Sequence, residues 1–310
     1  MAFIDAMRAE GHAVESTCRV LREQGCPVAA RTYRAWRAGR VPAARTVSDA
    51  HVLNALLATR GRPESLYGRR KMTAYLRRLG HPVAFCTVDR LMTSLGMNGI
   101  RRGKPVRTTV SRRDTPRAGD LVNRNFTAGG PNRTWVADFT YARTWAGFVY
   151  VAFILDVYAQ RIVAWHAATD KRTELVLTPL RIALWQRDRD GHPVQPGQLI
   201  HHADAGSQYT SLRFTEHLAL EGIAPSIGTV GDAYDNALME TVIGLFKTEC
   251  IATTVFHPGP YKTLADVEYA TAGWVDWYNH RRLHGSLGML TPTEYEQAHY
   301  AAPNREPQPT

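Results

Sequence analysis

The sequence predicts an α/β protein in which two small helical units precede a five-stranded mixed sheet with flanking helices. Three observations carry this prediction. An internal repeat with helical periodicity lies in the first hundred residues, nearly continuous apolar segments typical of buried strands begin at Trp135, and the later strands alternate with amphipathic helical segments. With 310 residues, 44% of them hydrophobic, the chain is long enough for more than one domain.

Charge is divided unevenly along the chain. Residues 1–125 contain 24 Lys and Arg against 9 Asp and Glu, whereas residues 126–310 contain 14 against 19. The first part therefore has a net charge of +15 and the second of −5. Because lysine and arginine release condensed counterions when they bind phosphates, the basic part is expected to bind a polyanion such as DNA. A GC-rich coding sequence explains 33 Arg against 5 Lys, but not this asymmetry.

The N-terminal repeat predicts two helix-turn-helix units. In each copy an amphipathic helix ends at a glycine, a proline prevents its continuation, and a second helix follows. Two copies in the most basic part of the chain indicate DNA binding, although an αα-hairpin used for protein contacts has the same pattern. The repeated residues are Leu21-Arg22, Gly25 and Pro27-Val28-Ala29, which recur as Leu76-Arg77, Gly80 and Pro82-Val83-Ala84.

Five domains or segments are expected. They are a first helix-turn-helix-like unit (1–45), a second helix-turn-helix unit (46–100), a basic linker (101–130), a catalytic core (131–255) and a C-terminal helical extension (256–310). The second unit exposes Arg90 on its second helix. The linker has no apolar period and contains Arg101, Arg102 and Lys104, which would follow phosphates if DNA passes between the domains; a solvated tether is the alternative.

The acidic half predicts strands first and then alternating helices and strands. This β-β-β-α-β-α-β-α order is typical of a ribonuclease H-like core, in which the first strand is central and the fourth lies beside it. The expected strands are 135–141, 148–157, 161–166, 199–204 and 223–227, and the expected helices are 173–187, 212–221 and 234–249.

That order places two carboxylates together. Asp138 lies in the middle of the first strand and Asp204 at the end of the fourth, so they are expected to face each other. Neighbouring carboxylates repel unless a cation lies between them, and hard oxygen ligands suit Mg²⁺ or Mn²⁺. Glu240 on the last helix is the candidate third carboxylate, and Lys247 lies about two turns further along the same face.

Spacing alone does not identify the third carboxylate. The separation of Asp204 and Glu240 recurs in Asp138/Glu174 and in Asp232/Glu268, but only Asp204/Glu240 joins a strand end to a helix interior and leaves a further strand carboxylate to complete the set. Among the rivals, Asp156 is interpreted as capping a turn, and Asp232 and Asp235 as residues at a helix start.

Several segments together resemble a known family. They are WVADFTY, GFVYVAFILDVYAQRIVAWH, HHADAGSQYTS, GDAYDNALMETVIGLFKTE and YNHRRLHGSLGMLTP. They resemble the second-frame (OrfB-type) catalytic protein of the two-frame bacterial insertion-sequence transposases, in the DDE transposase and retroviral-integrase superfamily. The resemblance covers nearly the whole chain, including the second helix-turn-helix around Tyr67-Gly68-Arg69-Arg70-Lys71. It implies a DDE triad at Asp138, Asp204 and Glu240, and a contact of Lys247 with the transposon end.

The resulting hypothesis is a DNA transposase that binds insertion-sequence ends, cleaves them and joins the 3′-hydroxyl ends to target DNA. The triad would hold two Mg²⁺ or Mn²⁺ ions, and Arg69, Arg70 and Lys71 would contact DNA. Its expected partners are double-stranded DNA (terminal inverted repeats and target), further copies of the chain on DNA, and an upstream-frame helix-turn-helix protein, by association or frameshift fusion.

Two alternatives stay open. A structure-specific nuclease of the same fold would keep the triad without strand transfer. A catalytically weakened DNA-binding relic would fit Ala203 and Ala205, where the family usually has serine and a polar or basic residue. The four cysteines, the absence of an apolar run of about 18 residues and the absence of a signal peptide's apolar core predict a bacterial cytoplasmic protein, nucleoid-associated when bound to DNA.

Overall fold

The computed structural model describes residues 1–39, 42–101, 121, 127–204, 206–228 and 237–302. The chain divides into two compact units, Met1–Asn54 and Ala55–Thr310. The helices are α1 (Ala2–Ala9), α2 (Val14–Glu23), α3 (Ala30–Arg37), α4 (Ala44–Leu57), α5 (Arg69–Arg78), α6 (Phe85–Ser94), α7 (Glu174–Arg189), α8 (Leu212–Leu220), α9 (Ala237–Leu245), α10 (Leu264–His280) and α11 (Pro292–Ala301). The strands are β1 (Thr134–Thr144), β2 (Gly147–Asp156), β3 (Arg161–Ala168), β4 (Ile200–Ala203) and β5 (Ala224–Ile227).

The first unit is a small helical cluster. Ile4 from α1, Cys18 from α2 and Tyr33 from α3 form its core, and the Tyr33 hydroxyl donates a hydrogen bond of 2.6 Å to Asp5. Gly25, between α2 and α3, has a φ of +79°, the left-handed conformation that the sequence predicts for a helix end. The sequence did not predict α1, which closes this core.

The second helix-turn-helix unit consists of α5 and α6. Gly80 follows α5 with a φ of +85°, and α6 begins at Phe85, directly after the repeated Pro82-Val83-Ala84. Met72 and Leu76 of α5 pack with Val88 and Leu91 of α6 in the interior. This helical pair belongs to the same compact unit as the sheet. The domain boundaries predicted from the sequence stay predictions.

The predicted fold class is confirmed by a five-stranded mixed sheet in the order β3-β2-β1-β4-β5. β1 pairs antiparallel with β2 and parallel with β4, so the first strand is central and the fourth lies beside it. One face of the sheet is covered by α7 and α8, whose apolar residues pack with Trp135, Ala137 and Ile154. On the other face Phe153 contacts Phe246 and Trp274, which follow α9 and lie within α10.

The C-terminal helices pack back onto the sheet. α10 and α11 each begin with a capping box, Thr263/Asp266 and Thr291/Glu294. Asn279 near the end of α10 accepts a hydrogen bond from the Ile162 N–H and donates one to its carbonyl, at 3.0 and 2.8 Å. The side chain thereby satisfies main-chain groups on the outer strand β3.

The end of α10 also holds the second helix-turn-helix unit. The Tyr67 hydroxyl accepts a hydrogen bond of 3.0 Å from the Leu283 N–H and donates one of 3.2 Å to the Arg281 carbonyl. The indole N–H of Trp277 donates to Glu64, at 3.2 Å. α5 and α6 are therefore fixed to the C-terminal segment by buried hydrogen bonds. Among the described residues, no helix is long and apolar enough to cross a membrane.

Candidate active site

Asp138 occupies the middle of the central strand, as the sequence predicts. Ala137 pairs with Ala203 in the parallel β1–β4 ladder, so Asp138 and Asp204 lie side by side one residue beyond the last pair. The Asp138 carboxylate accepts a hydrogen bond of 2.7 Å from the N–H of Phe139. From Asp138 onward β1 has no partner on the β4 side among the described residues, because β4 ends at Ala203.

Asp204 is held in a tight turn directly after β4. Its Oδ1 accepts a hydrogen bond of 3.0 Å from the Gly206 N–H. A Cβ atom at position 206 would lie 2.9 Å from the same oxygen, a distance that would force the carboxylate to move. Alanine at position 206 would therefore require the Asp204 side chain to shift. The Asp-x-Gly sequence, which favours an Asx turn, is the signal that could have identified Gly206.

Glu240 lies on α9 and Lys247 on the π-helical segment Phe246–Ile251 that continues it. The helix starts at Ala237 among the described residues and ends at Ile251, two residues beyond the predicted end. Both side chains are exposed. The Lys247 ammonium lies 5.0 Å from the centre of the Tyr141 ring on β1. The face of this helix that carries Lys247 is therefore turned toward the part of β1 that lies beyond Asp138.

The carboxylates influence one another electrostatically. Burial, together with the charges of Asp204 and Glu240, raises the pKa of Asp138 to about 8, and Lys247 opposes the shift. Loss of solvation raises the pKa of Asp204, although the Gly206 N–H and His202 oppose it. Because burial and the nearby acidic groups oppose the charge of Asp138, a bound cation would stabilise its ionised carboxylate.

The donor set fits a divalent cation chemically. Three carboxylates supply the hard oxygen ligands that Mg²⁺ and Mn²⁺ prefer. Within the described ranges no three acidic, histidine or cysteine side chains converge closely enough to form a ready-made metal cage. The site thus has the composition of a metal centre, while Asp138 and Asp204 are the pair that the fold holds most directly.

The rival carboxylate Asp156 has a structural role. It is fully buried at the end of β2, where it accepts hydrogen bonds from the Asn132 N–H at 2.7 Å and from Arg187 at 3.0 Å. Its other oxygen accepts from the Tyr158 N–H at 3.0 Å, which confirms the predicted turn cap. Glu174 pairs with Arg213 on the surface. Asp232 and Asp235 lie outside the described residues.

Two histidines beside the site are packed into the fold. His201 is buried against Phe214 and Tyr209, with a ring-centre distance of 5.4 Å to Phe214. The His202 ring lies 2.8 Å from the Ser226 hydroxyl. Tyr209 is also buried, and burial together with Asp138 and Asp204 raises its pKa. Sequence reasoning did not identify Tyr209, whose position depends on the turn after Asp204.

The predicted DNA contacts fall into two groups. Arg70, Arg90 and Arg101 are exposed, whereas Arg69 pairs with Asp89 on α6 and the Lys71 ammonium lies 5.8 Å from the centre of the Tyr67 ring. Burial lowers the pKa of Lys71 to about 8, with Arg282 acting in the same direction. Arg102 and Lys104 lie outside the described residues.

The positive side chains at the start of α5 face a cavity of about 480 Å³. Arg69, Arg70 and Lys71 line it together with Arg282, which is bound to the buried Glu249 at 2.7 Å. The cavity lies between the second helix-turn-helix unit and the segment that follows Glu240. Basic residues of the helix-turn-helix unit and Arg282, which follows α10, therefore line the same cavity.

Family comparisons agree with this architecture. Two models described as integrase core domain match residues 128–233 and 221–292, and one described as HTH-like domain matches residues 49–105. Among solved structures, a chain of a simian T-cell lymphotropic virus intasome covers 79% of this chain and 74% of its own, with 14% identity and a TM-score of 0.48. The HTLV-2 integrase catalytic core domain in complex with magnesium gives a TM-score of 0.42, also with 14% identity, over 54% of this chain and 98% of its own.

Sequence relatives are much closer. A protein of Mycobacterium tuberculosis (strain H37Rv), described as a transposase for insertion sequence element IS986/IS6110, is 48% identical over 280 residues, 90% of this chain and 98% of its own length. The transposase for IS629 of Shigella sonnei is 49% identical over 237 residues, 76% of each chain. The transposase for IS3A of Escherichia coli K12 is 29% identical over 301 residues, 96% of this chain and 99% of its own. The chain therefore belongs to the family of insertion-sequence transposases with an integrase core domain.

Proposed function

We propose that this chain binds the terminal inverted repeats of an insertion sequence, cleaves them and joins the freed 3′-hydroxyl ends to target DNA, with divalent cations held by Asp138, Asp204 and Glu240. One observation carries the proposal most directly. Asp138 and Asp204 lie side by side at the end of a parallel strand pair, and burial, together with the charges of Asp204 and Glu240, raises the pKa of Asp138.

The chain's own residues suit phosphodiester chemistry. Asp138 and Asp204 would bind the cations from two adjacent strands, and Glu240 would complete the set from α9. Lewis-acid activation of the attacking oxygen and stabilisation of the leaving oxygen are what two bound Mg²⁺ or Mn²⁺ ions supply in an in-line displacement. The nucleophile is water in end cleavage and the freed 3′-hydroxyl in strand transfer. No covalent protein intermediate is needed, and solvent protonates the leaving oxygen.

The DNA would be held by basic residues on both sides of the site. Lys247 is exposed next to the open half of β1 and would contact a phosphate of the element end. Arg69, Arg70, Lys71 and Arg90 of the second helix-turn-helix unit, with Arg101, Arg102 and Lys104 after it, would bind phosphates further along the duplex. Oligomerisation on DNA and association or fusion with an upstream-frame protein belong to the same proposal.

The decisive experiment is metal-dependent nicking of a labelled duplex that carries the terminal repeats flanking the gene. Asp138→Asn, Asp204→Asn and Glu240→Gln should each abolish end cleavage and strand transfer while end binding and fold are kept. The amides preserve shape but remove the charge that holds the cations. Without Mg²⁺ or Mn²⁺ the wild-type protein should bind and not cut.

The matched controls are the carboxylates that share the same sequence separation. Glu174→Gln, Asp232→Asn and Glu268→Gln should leave cleavage within about an order of magnitude, because these residues are not needed to hold a cation. Normal cutting by Glu240→Gln together with a dead Glu174→Gln would show that the third carboxylate is misassigned. Nicking without joining of the labelled 3′ end would favour a nuclease.

A further inference from the structure

An aromatic and cationic surface covers the outer end of the β1–β2 hairpin. This surface, the hairpin patch, consists of Tyr141, Arg143, Trp145, Phe148, Lys247 and Lys262. Trp145 at the tip is 73% exposed, and Tyr141 and Phe148 are each 44% exposed. Large aromatic side chains normally contribute their area to a core, so three exposed rings on one hairpin indicate a surface that binds something.

Each exposed ring of the hairpin patch has its own cation. The Lys247 ammonium lies 5.0 Å from the centre of the Tyr141 ring, the Lys262 ammonium 5.4 Å from Trp145, and the Arg143 guanidinium 5.6 Å from Phe148. The nearby carboxylate of Asp266 accepts from the N–H groups of Lys262 and Thr263 and lies 3.5 Å from His257. The patch is therefore positive within the more acidic half of the chain.

The tip of the hairpin is held in place by the main chain. The N–H groups of Trp145 and Ala146 donate hydrogen bonds of 3.0 and 3.1 Å to the carbonyls of Tyr261 and Lys262, just before α10. Tyr141 and Phe148 contact each other edge to face, with ring centres 5.2 Å apart. An exposed indole on a fixed backbone loses little conformational entropy on binding, which suits a preformed stacking platform.

The hairpin patch lies along the open edge of β1 beyond Asp138, although the Tyr141 side chain is on the opposite face of the strand from that of Asp138. Tyr141 is three residues further along the strand, about 10 Å away, and Trp145 is seven, roughly 24 Å away for an extended chain. A DNA strand advances about 3.4 Å per phosphate, so a strand entering the active site along this edge would pass the patch within about seven nucleotides. Lys247 belongs to both places, since it contacts Tyr141 and acts electrostatically on Asp138.

We propose that the hairpin patch binds unpaired bases of the DNA strand next to the phosphate cleaved at Asp138 and Asp204. This inference rests on the proposed function. Single-stranded nucleic acid is bound where aromatic rings stack on bases and cations meet the intervening phosphates. In an intact duplex neighbouring bases cover both faces of each base, so the Trp145 ring would find a stacking partner only where the duplex ends or opens.

A protein partner fits the hairpin patch less well. Burial of the three rings in an apolar interface would also bury the charges of Lys247, Lys262 and Arg143, and unpaired buried charges are costly. A DNA strand instead carries one negative charge per nucleotide. Its bases can stack on the rings of the patch while its phosphates contact the neighbouring cations. The charge pattern thus favours a nucleic-acid strand over an apolar protein surface.

The test measures binding of the full-length chain without divalent ions to two fluorescent DNAs. One is a blunt duplex of the element end, and the other is the same duplex with about eight unpaired thymidines beyond the cleaved bond. Trp145→Ala should weaken binding of the flanked duplex by about 5- to 100-fold, the loss expected when one stacked base is released, and change binding of the blunt duplex by less than about twofold. Trp145→Phe should lie between.

The matched control is Trp185→Ala on α7. Trp185 is also exposed, at 55%, and also has a cation above its ring, Arg189 at 4.8 Å, but it lies outside the hairpin patch. This variant should bind both DNAs like wild type. Equal loss on both DNAs by Trp145→Ala, no loss on either, or the same loss in Trp185→Ala would each overturn the inference.

Nicking of a fully paired duplex that continues past the element end, measured in parallel with Mg²⁺, separates this inference from the proposed function. Wild-type nicking with no Trp145 effect on flanked DNA would defeat the inference alone. A Trp145-dependent preference for flanked DNA without nicking by the wild-type chain would support the binding surface and contradict the proposed chemistry.

Discussion

A methyl group at position 206 would lie 2.9 Å from the Asp204 oxygen that the Gly206 N–H holds, and 3.4 Å from the Gln208 side chain. The position of one acidic ligand thus depends on the absence of a side chain two residues later. We expect Gly206→Ala to reduce nicking at least about tenfold, because a displaced carboxylate no longer holds its cation in line with the phosphate.

The control for Gly206→Ala is Gly259→Ala, where an added Cβ meets nothing within 4 Å. It should nick like wild type. Circular dichroism and thermal unfolding of both variants would check that the fold is kept. Full activity of Gly206→Ala would show that the turn is wider in solution than in the structure.

His201 predicts a pH dependence of stability. Burial, with His202 acting in the same direction, lowers the pKa of His201 to about 4, whereas an unfolded histidine titrates near 6.5. As pH falls from about 6.5 to about 4, the unfolded chain takes up a proton that the folded chain does not, so stability is lost through this window. His201→Phe, among the rings of Phe214 and Tyr209, removes this loss.

The His201→Phe variant should therefore gain roughly 2 kcal/mol over wild type at pH 5 relative to their difference at pH 7. Urea unfolding at the two pH values measures it. Wild-type and variant curves that shift in parallel with pH would show that His201 titrates equally in the folded and unfolded chains.

At the scale of elements, α11 is joined to the sheet by a buried ion network. Arg187 on α7 bridges Asp156 at the end of β2 and Glu296 on α11, and Arg161 on β3 binds Glu296 at 3.0 Å. Arg187, Asp156 and Glu296 are at most 1% exposed. Each buried ion is tolerated only because its oppositely charged partners offset the cost of removing it from water.

Removal of one member should loosen α11. We expect Glu296→Gln to lower the free energy of unfolding by about 3 kcal/mol, since it removes one of the two carboxylates that bind the buried Arg187 and weakens the binding of Arg161. The exposed pair of Asp276 and Arg281 gives the comparison: Asp276→Asn should cost less than about 1 kcal/mol. Denaturant unfolding decides between the two outcomes, and equal losses would show that burial of the network has no special weight.

The elements themselves follow closely from local sequence patterns. Apolar runs predicted five strands, and β1 extends three residues past the predicted end because Arg143 and Thr144 pair with Phe148 and Gly147 across the hairpin. Local patterns did not predict α1 or α4. They also could not predict that Glu64 and Tyr67 bind the end of α10, because those hydrogen bonds join residues more than 200 positions apart.

The site shows the same division. Asp138 and Asp204 follow from strand order, since the parallel neighbour of a central strand brings its end to the same edge. Gly206 and Tyr209 depend on the turn that follows, and the ring and cation pairs of the hairpin patch depend on tertiary contacts with Lys247 and Lys262. Local sequence and strand order thus predict the proposed catalytic carboxylates, whereas three-dimensional packing determines which residues surround them.

At the scale of the whole molecule, the second unit contains basic helices from the first part of the sequence together with the more acidic second part. The basic helix pair α5 and α6 packs against the end of α10, where Arg282 meets the cavity lined by Arg69, Arg70 and Lys71. Positive side chains thus lie at two places in this unit, the cavity and the hairpin patch.

The hydrogen bonds of Tyr67 to Leu283 and Arg281 have a consequence for distances along a bound DNA. They tie the helix pair that would read the element end to the body that would cut it, independently of residues 102–120 that connect them in sequence. Under the proposed function, the distance from the recognised sequence to the cleaved bond would therefore be set by the folded second unit. Extra residues inserted into that connection would leave the cut at the same nucleotide.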